Sequence, residues 1–126
     1  MTATSHPAPS WDRADLYARA DAYLAALAAK DCSRLTFTPG VVFTENNVQL
    51  RIGDGLWNTI TAVRPGYDLK CADLTTGQVS WFGVIEERGS AAIMALRLAY
   101  VGDAISEIET IVCRAHELGP FPEISG

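Results

Sequence analysis

The sequence predicts an α+β fold, on three observations. An alanine-rich amphipathic helix opens the chain, the hydrophobic period changes from helical to alternating at Val41, and four strand-like runs fill the second half with hairpin-length breaks between them. Helix first and antiparallel strands afterwards is an α+β order, distinct from the alternation that builds a parallel sheet. The chain has 126 residues, 48% apolar and 20% charged. That length suits one domain whose core forms without disulfides or metal.

Taken in order, Met1 to Pro9 carries Pro7, Pro9 and small polar residues and reads as an unstructured tail. Ser10 or Asp12 offers the N-cap of a helix reaching about Lys30. Leu16, Ala20, Tyr23, Leu24 and Leu27 recur on one face, whereas Asp15, Arg19 and Asp21 mostly fall elsewhere. Asp31 to Leu35 reads as a further turn or short helix, stopped at Pro39-Gly40. From Val41, the residues Val41, Phe43, Glu45 and Asn47 alternate with Val42, Thr44, Asn46 and Val48, the period of a strand. Gly53-Asp54-Gly55 punctuates, and Leu56 to Ile60 predicts a short helix before Pro65-Gly66. The glycines resemble half of a dinucleotide fingerprint, but Asn58 stands where the third glycine belongs. Strands are expected at Tyr67–Thr75, Val79–Glu87, Ala91–Val101 and Ile105–Arg114, as an antiparallel meander broken at Gly77, Arg88-Gly89 and Gly102-Asp103. The domain is thus placed at 10–116, with 117–126 as a C-terminal tail.

Charge and cysteine content narrow the function classes. A net charge of −5 disfavours nucleic acid and anionic membrane surfaces as partners, since both are bound through basic patches. The longest uncharged run, Leu74 to Ile85, is far shorter than the roughly 20 apolar residues that span a bilayer. The N-terminal residues lack the basic and apolar regions of a secretory signal. Cys32, Cys71 and Cys113 are odd in number and widely spaced, which speaks against a disulfide framework. These features together predict a cytoplasmic protein. His6 and His116 lie far apart and no metal-ligand spacing is present, so no metal is expected.

The chemistry-bearing residues fall into a few groups. Glu45 shares a strand face with Val41 and Phe43. If the apolar side faces inward the carboxylate does too, and desolvation there suits general acid–base work. The competing reading is a fraying strand end beside Asn46-Asn47. On the last strand, Glu109 shares a face with Glu107, Ile111 and Cys113. It either enters the cavity or belongs to a water-facing or dimer-rim stripe, with Glu107 nearer the turn and solvated. Were Glu45 and Glu109 to converge, repulsion would split them into one acid and one base. Arg97 interrupts an apolar run and calls for a carboxylate on a neighbouring strand, or binds a substrate anion. Phe43, Trp57, Trp81 and Met94 would wall a pocket for a flat apolar or aromatic ligand, unless they are ordinary core. Tyr67 could donate to a developing oxyanion, and His116 could shuttle a proton. Cys113 lacks a histidine partner for nucleophilic chemistry and reads as packing.

The order of a long helix, a strand reading Val42-Phe43-Thr44-Glu45-Asn46, a Gly-Asp-Gly turn, a short helix and a closing meander resembles the nuclear transport factor 2-like superfamily, in particular its SnoaL-like small enzymes. The resemblance spans Asp12 to Arg114. It implies a cone in which N-terminal helices pack on a curved antiparallel sheet around an apolar pocket, commonly in a homodimer. It also implies cofactor-independent lyase, dehydratase or isomerase chemistry on a small apolar, aromatic molecule, or else a non-catalytic ligand-binding or interaction module. One implied example is formaldehyde-releasing cleavage of a lignin-derived diaryl diol. In the epoxide-hydrolase branch an aromatic and a polar residue two apart face the pocket, a pattern Phe43 and Glu45 match. Cys113 stands where that branch has an acid near the end of its final strand, and the Arg-x-Asp pair is missing. With these assignments Glu45, Glu109, Tyr67 and His116 are the catalytic candidates. Phe43, Trp57, Trp81, Met94, Arg97 and Cys113 are those placed to touch substrate.

Overall fold

The structure, a computed structural model, describes residues 11–114. The two expected tails, 1–9 and 117–126, lie outside that range, and so does His116. Helix α1 spans Arg13–Ala28. It begins after Asp12, which has an extended backbone and accepts the first helical bond from the Leu16 N–H. Its buried residues are Leu16, Ala20, Tyr23, Leu24, Ala26 and Leu27. All five positions of the predicted apolar face are among them.

After a 3-10 turn at Cys32–Arg34, strand β1 runs Phe37–Glu45 and β2 runs Val48–Leu50. Helix α2 (Leu56–Thr59) leads directly into β3 (Ile60–Asp73), followed by β4 (Gln78–Glu87), β5 (Ser90–Val101) and β6 (Ala104–Arg114). The six strands form one curved sheet in the order β2-β1-β6-β5-β4-β3.

Three local expectations need correction. Pro39-Gly40 was expected to stop structure ahead of the first strand, yet β1 starts at Phe37 and passes through it. Its pairing with β6 shifts register between Phe37 and Val42, an irregularity that accommodates a proline. Likewise Pro65-Gly66 lies inside β3, in the register shift between Val63 and Asp68 on an edge strand. The third concerns the run to Val48. Asn46 and Asn47 both have positive φ and turn the chain into the β1–β2 hairpin, as asparagine does in two-residue turns.

The meander of β3 to β6 is antiparallel as predicted, but β1 joins β6 in parallel. This pairing sets which side chains share a face. Phe43 lies opposite Ile108 and Glu45 opposite Thr110, whereas Thr44 lies opposite Glu109. Ile108, Thr110 and Val112 are buried on the concave side under α1, together with Met94, Leu96, Leu98, Val79, Trp81 and Ile85. Each such aliphatic or aromatic side chain contributes roughly 1.5–3 kcal/mol by leaving water. The convex side carries Glu107, Glu109 and Arg97.

Candidate functional site

Glu45 is the acid that the fold turns inward. The fraying alternative is ruled out by its neighbour. Asn46 donates from its backbone N–H to the Thr110 carbonyl at 2.9 Å, and its side chain pairs with the Val112 backbone, accepting at 2.8 Å and donating at 3.2 Å. That amide extends the β1–β6 ladder one residue past the strand and fixes Glu45 behind it. The Glu45 side chain is 11% exposed. Its Oε1 accepts from the Leu56 N–H at 2.8 Å, the first turn of α2, and its Oε2 lies 3.8 Å from an Arg114 nitrogen. Gly55 is required for this approach. It has a positive φ, and a Cβ there would stand 2.7 Å from Glu45 Oε1.

Beside Glu45, α1 delivers Tyr23 and α2 delivers Trp57. The two rings meet edge-to-face, with centroids 5.5 Å apart. Burial pushes the Tyr23 phenol well above its ordinary pKa and the nearby Glu45 carboxylate pushes it further, so it stays a neutral donor. Trp57 pulls the other way without closing a hydrogen bond. Its Nε1 is buried and meets no acceptor within hydrogen-bond geometry among the described residues. Sequence reading placed Tyr23 only in the helix core. The signal that it shares a site with Glu45 is three-dimensional, because the two residues come from separate elements.

The remaining candidates separate. Glu109 does not converge with Glu45. It stands on the opposite face of the sheet, where its Oε1 accepts from Arg97 Nε at 3.0 Å. Arg97 also donates to Glu107 at 2.9 Å and to Gln78 at 3.0 Å, so the expected strand-neighbour partner exists, on the convex side. Cys113 faces the same way, opposite Ile93. Tyr67 is exposed and lines a convex groove of about 490 Å³ with Leu69, Phe82, Val84 and Ile93, away from Glu45. Phe43, Trp57, Trp81 and Met94 are all buried and belong to one packed cluster.

Trp81 has a second role. Its Nε1 donates to Asp68 Oδ1 at 2.7 Å, and Asp68 also holds Lys70, which reaches Asp21 at 3.0 Å. These hydrogen bonds, that of Lys70 first, hold the Asp68 carboxyl below the usual range. Asp21, Leu24, Val63, Arg64, Pro65, Asp68 and Trp81 line a cavity of about 260 Å³ between α1 and the irregular stretch of β3. Among the described residues no group of three or more His, Cys, Asp or Glu could hold a metal ion, and the three cysteines are free.

Comparison with solved structures agrees with this architecture. AclR of Streptomyces galilaeus, a candidate hydroxylase, superposes with a TM-score of 0.64 at 14% identity over 90% of each chain. The designed nuclear transport factor 2 fold protein NT-9 gives a TM-score of 0.54 at 13% identity, over 81% of this chain and 87% of its own. A protein of Catenulispora acidiphila with a ketosteroid isomerase-like fold, solved with trimethylamine, gives 0.51 at 14% identity over 84% and 85%. The chain therefore has a nuclear transport factor 2-like fold. At these identities the likeness establishes fold alone. No protein-family profile and no curated protein matches the sequence. No helix among the described residues is long and apolar enough to cross a membrane.

Proposed function

We propose that this chain is a small-molecule enzyme working by general acid–base catalysis on an apolar carbonyl compound, with its own side chains as the catalytic groups. The observation that carries the reading is the Trp57 indole N–H, a buried donor without an acceptor, next to the Tyr23 phenol and the Glu45 carboxylate. An unmet buried donor costs roughly 1–3 kcal/mol, and a ligand oxygen would satisfy it. Glu45 takes a proton from the carbon beside the carbonyl, and the C–H electrons move onto the carbonyl oxygen. The Tyr23 O–H and Trp57 N–H receive the enolate. Return of the proton elsewhere gives an isomerase, and loss of a leaving group from the adjacent carbon gives a lyase. Because the aromatic side chains here are packed, admission of substrate requires some of them to move aside.

The test is hydrogen–deuterium exchange of β-tetralone in D2O, followed by NMR. The wild type should exceed the buffer rate, Glu45→Gln should lose about 10²–10⁴-fold, and Trp57→Phe should lose about 10–10²-fold. Equal rates for wild type and Glu45→Gln overturn the proposal. A second reading, a non-catalytic binding module, is favoured by one observation. Glu107 and Glu109 are both tied to Arg97 on the convex face, which leaves Glu45 without the second acid expected from β6. In either case we propose a homodimer through that face. Val42, Tyr67, Leu69, Phe82, Ile93 and Ile111 are all exposed there, a set of apolar side chains that association of two copies would cover.

A further inference from the structure

Besides Tyr23 and Trp57, Glu45 has two kinds of polar neighbour. Toward the ends of β4 and β6 lies a charge cluster. Arg114 Nη2 is 3.8 Å from Glu45 Oε2, and the same guanidinium bonds Glu87, Nε to Oε1 at 2.7 Å and Nη2 to Oε2 at 3.0 Å. Thr59, the last residue of α2, donates its hydroxyl to Glu87 Oε2. Toward the middle of the sheet the polar neighbour is Thr110. It is the partner of Glu45 across the β1–β6 pairing and is 3% exposed. Its backbone carbonyl accepts from the Asn46 N–H, but among the described residues no hydrogen bond engages its hydroxyl. Ile108 and Val112 flank it on the same face of β6, and Leu96 lies opposite on β5. A threonine in these surroundings costs stability that a valine of the same shape would not, because its hydroxyl leaves water and gains no bond.

We propose that Thr110 is a ligand-contacting residue of the Glu45 site, and that the ligand is a carbonyl compound carrying a second oxygen, which the Thr110 hydroxyl binds. The proposal rests on the reading of Glu45, Tyr23 and Trp57 as the site. In that reading the carbonyl oxygen goes to the Trp57 N–H and the Tyr23 O–H, with Glu45 at the carbon beside it. Trp57 adjoins Glu45 from the α2 side, where the Leu56 N–H holds Oε1. Thr110 adjoins it from β6, one strand further into the sheet, a spacing of about 4.8 Å. The register continues the line: Thr110 faces Leu96 on β5, Leu96 faces Trp81 on β4, and Trp81 faces Lys70 on β3. Leu96 is aliphatic, the Trp81 N–H is given to Asp68, and Lys70 is held by Asp21 and Asp68. Thr110 is therefore the member of this row with a hydrogen bond to offer. A flat ligand held at Trp57 and lying along the row passes over Thr110 first. A hydroxyl both donates and accepts, so the second oxygen is a hydroxyl or a carbonyl. A ligand with the carbonyl alone leaves the buried Thr110 hydroxyl unmet, and on that difference the site selects.

The experiment measures dissociation constants, by quenching of tryptophan fluorescence, for β-tetralone and for its phenolic derivatives with the hydroxyl at each aromatic position in turn. In the wild type at least one derivative should bind about 3–10-fold tighter than β-tetralone, the effect of one hydrogen bond. Thr110→Val should bring that ratio close to one, in a protein whose urea midpoint is at or above the wild-type value. Thr110→Ser keeps a hydroxyl and should retain the gain, a rescue that a packing role does not produce. Thr110→Ala also lacks the hydroxyl and keeps the test decisive if Thr110→Val fails to fold. No tighter derivative in the wild type, or a gain that survives loss of the hydroxyl, overturns the proposal. A gain that depends on Thr110, combined with β-tetralone exchange insensitive to Glu45→Gln, overturns the proposed function and leaves the Thr110 contact standing.

Discussion

Gly83→Ala tests the packing that shapes the interior. Gly83 sits on β4 opposite Asp68 on β3, and the Trp81 indole folds over it. A Cβ at this position would lie 2.1 Å from Trp81 Cζ2 and 2.5 Å from Cη2. The ring must therefore move, yet Trp81 is only 1% exposed and its surroundings are close-packed. Overpacking of this kind costs about 1–3 kcal/mol. Moving the ring also breaks the 2.7 Å bond from Trp81 Nε1 to Asp68. Hydrogen bonds to charged groups contribute about 1.5–3 kcal/mol, which we discount to about 1 because Asp68 is half-exposed. The expected loss is then about 2–4 kcal/mol, or about 1–2 M in the urea midpoint for a domain of this size. Urea unfolding followed by tryptophan fluorescence and far-UV circular dichroism measures it. Adding Trp81→Phe removes the ring atoms that collide, so the double variant should be less destabilised than the two single losses combined by more than about 1 kcal/mol. A Gly83→Ala protein within about 0.5 kcal/mol of wild type would refute the reasoning, since that is the range of an inconsequential surface change.

Other expectations concern the two faces of the sheet. Glu109→Gln should leave β-tetralone exchange within about twofold and stability within about 1 kcal/mol, because the Arg97 pair is partly exposed and on the convex side; a loss of exchange comparable to that of Glu45→Gln would return Glu109 to the site. Phe82→Glu should shift sedimentation velocity profiles from dimer to monomer without loss of fold, and a monomeric wild type would dispose of the convex interface. The Arg114 guanidinium holds the Glu87 carboxyl below the ordinary glutamate range. Its stabilisation is accordingly present in full above pH about 4.3 and lost as pH falls through the lowered value. Urea unfolding at a series of pH values should show the deficit of Glu87→Gln at neutral pH shrinking into acid, whereas a pH-independent deficit would contradict the assignment.

The helix face, the meander and the α+β order were legible because each rests on local periodicity. The strand boundaries at Pro39-Gly40 and Pro65-Gly66 were not. Turn chemistry predicts a break, whereas edge position and register shifts let β1 and β3 absorb the prolines. Within the site, the alternation of β1 puts Glu45 on the face of Val41 and Phe43, and the burial of Phe43 turns that face inward. Glu109 could not be placed this way, because its facing depends on the parallel β1–β6 register, and alternation fixes which residues share a face without saying which face is inward. The acid that does approach Glu45 is Glu87, which the sequence places at a hairpin end beside Arg88-Gly89, where a solvated glutamate is the ordinary expectation. The guanidinium of Arg114, from another strand, and the Thr59 hydroxyl, from α2, draw it into the cluster.

Stability alone accounts poorly for Trp57. A phenylalanine there would keep an aromatic edge for Tyr23 and carry no donor to bury. The Trp57 N–H costs roughly 1–3 kcal/mol as it stands, partly offset by the larger apolar area of the indole. Trp57→Phe should therefore change stability by less than about 1.5 kcal/mol, the range of a tolerated core exchange, and by far less than Gly83→Ala. Structural and catalytic roles then part company in one variant. If the indole only packs, the small stability change is matched by a small change in β-tetralone exchange. If its N–H receives an enolate oxygen, exchange falls by about 10–10²-fold in a protein of near wild-type stability. A Trp57→Phe protein as unstable as Gly83→Ala would instead make the indole a packing residue and remove the observation on which the enzymatic reading stands.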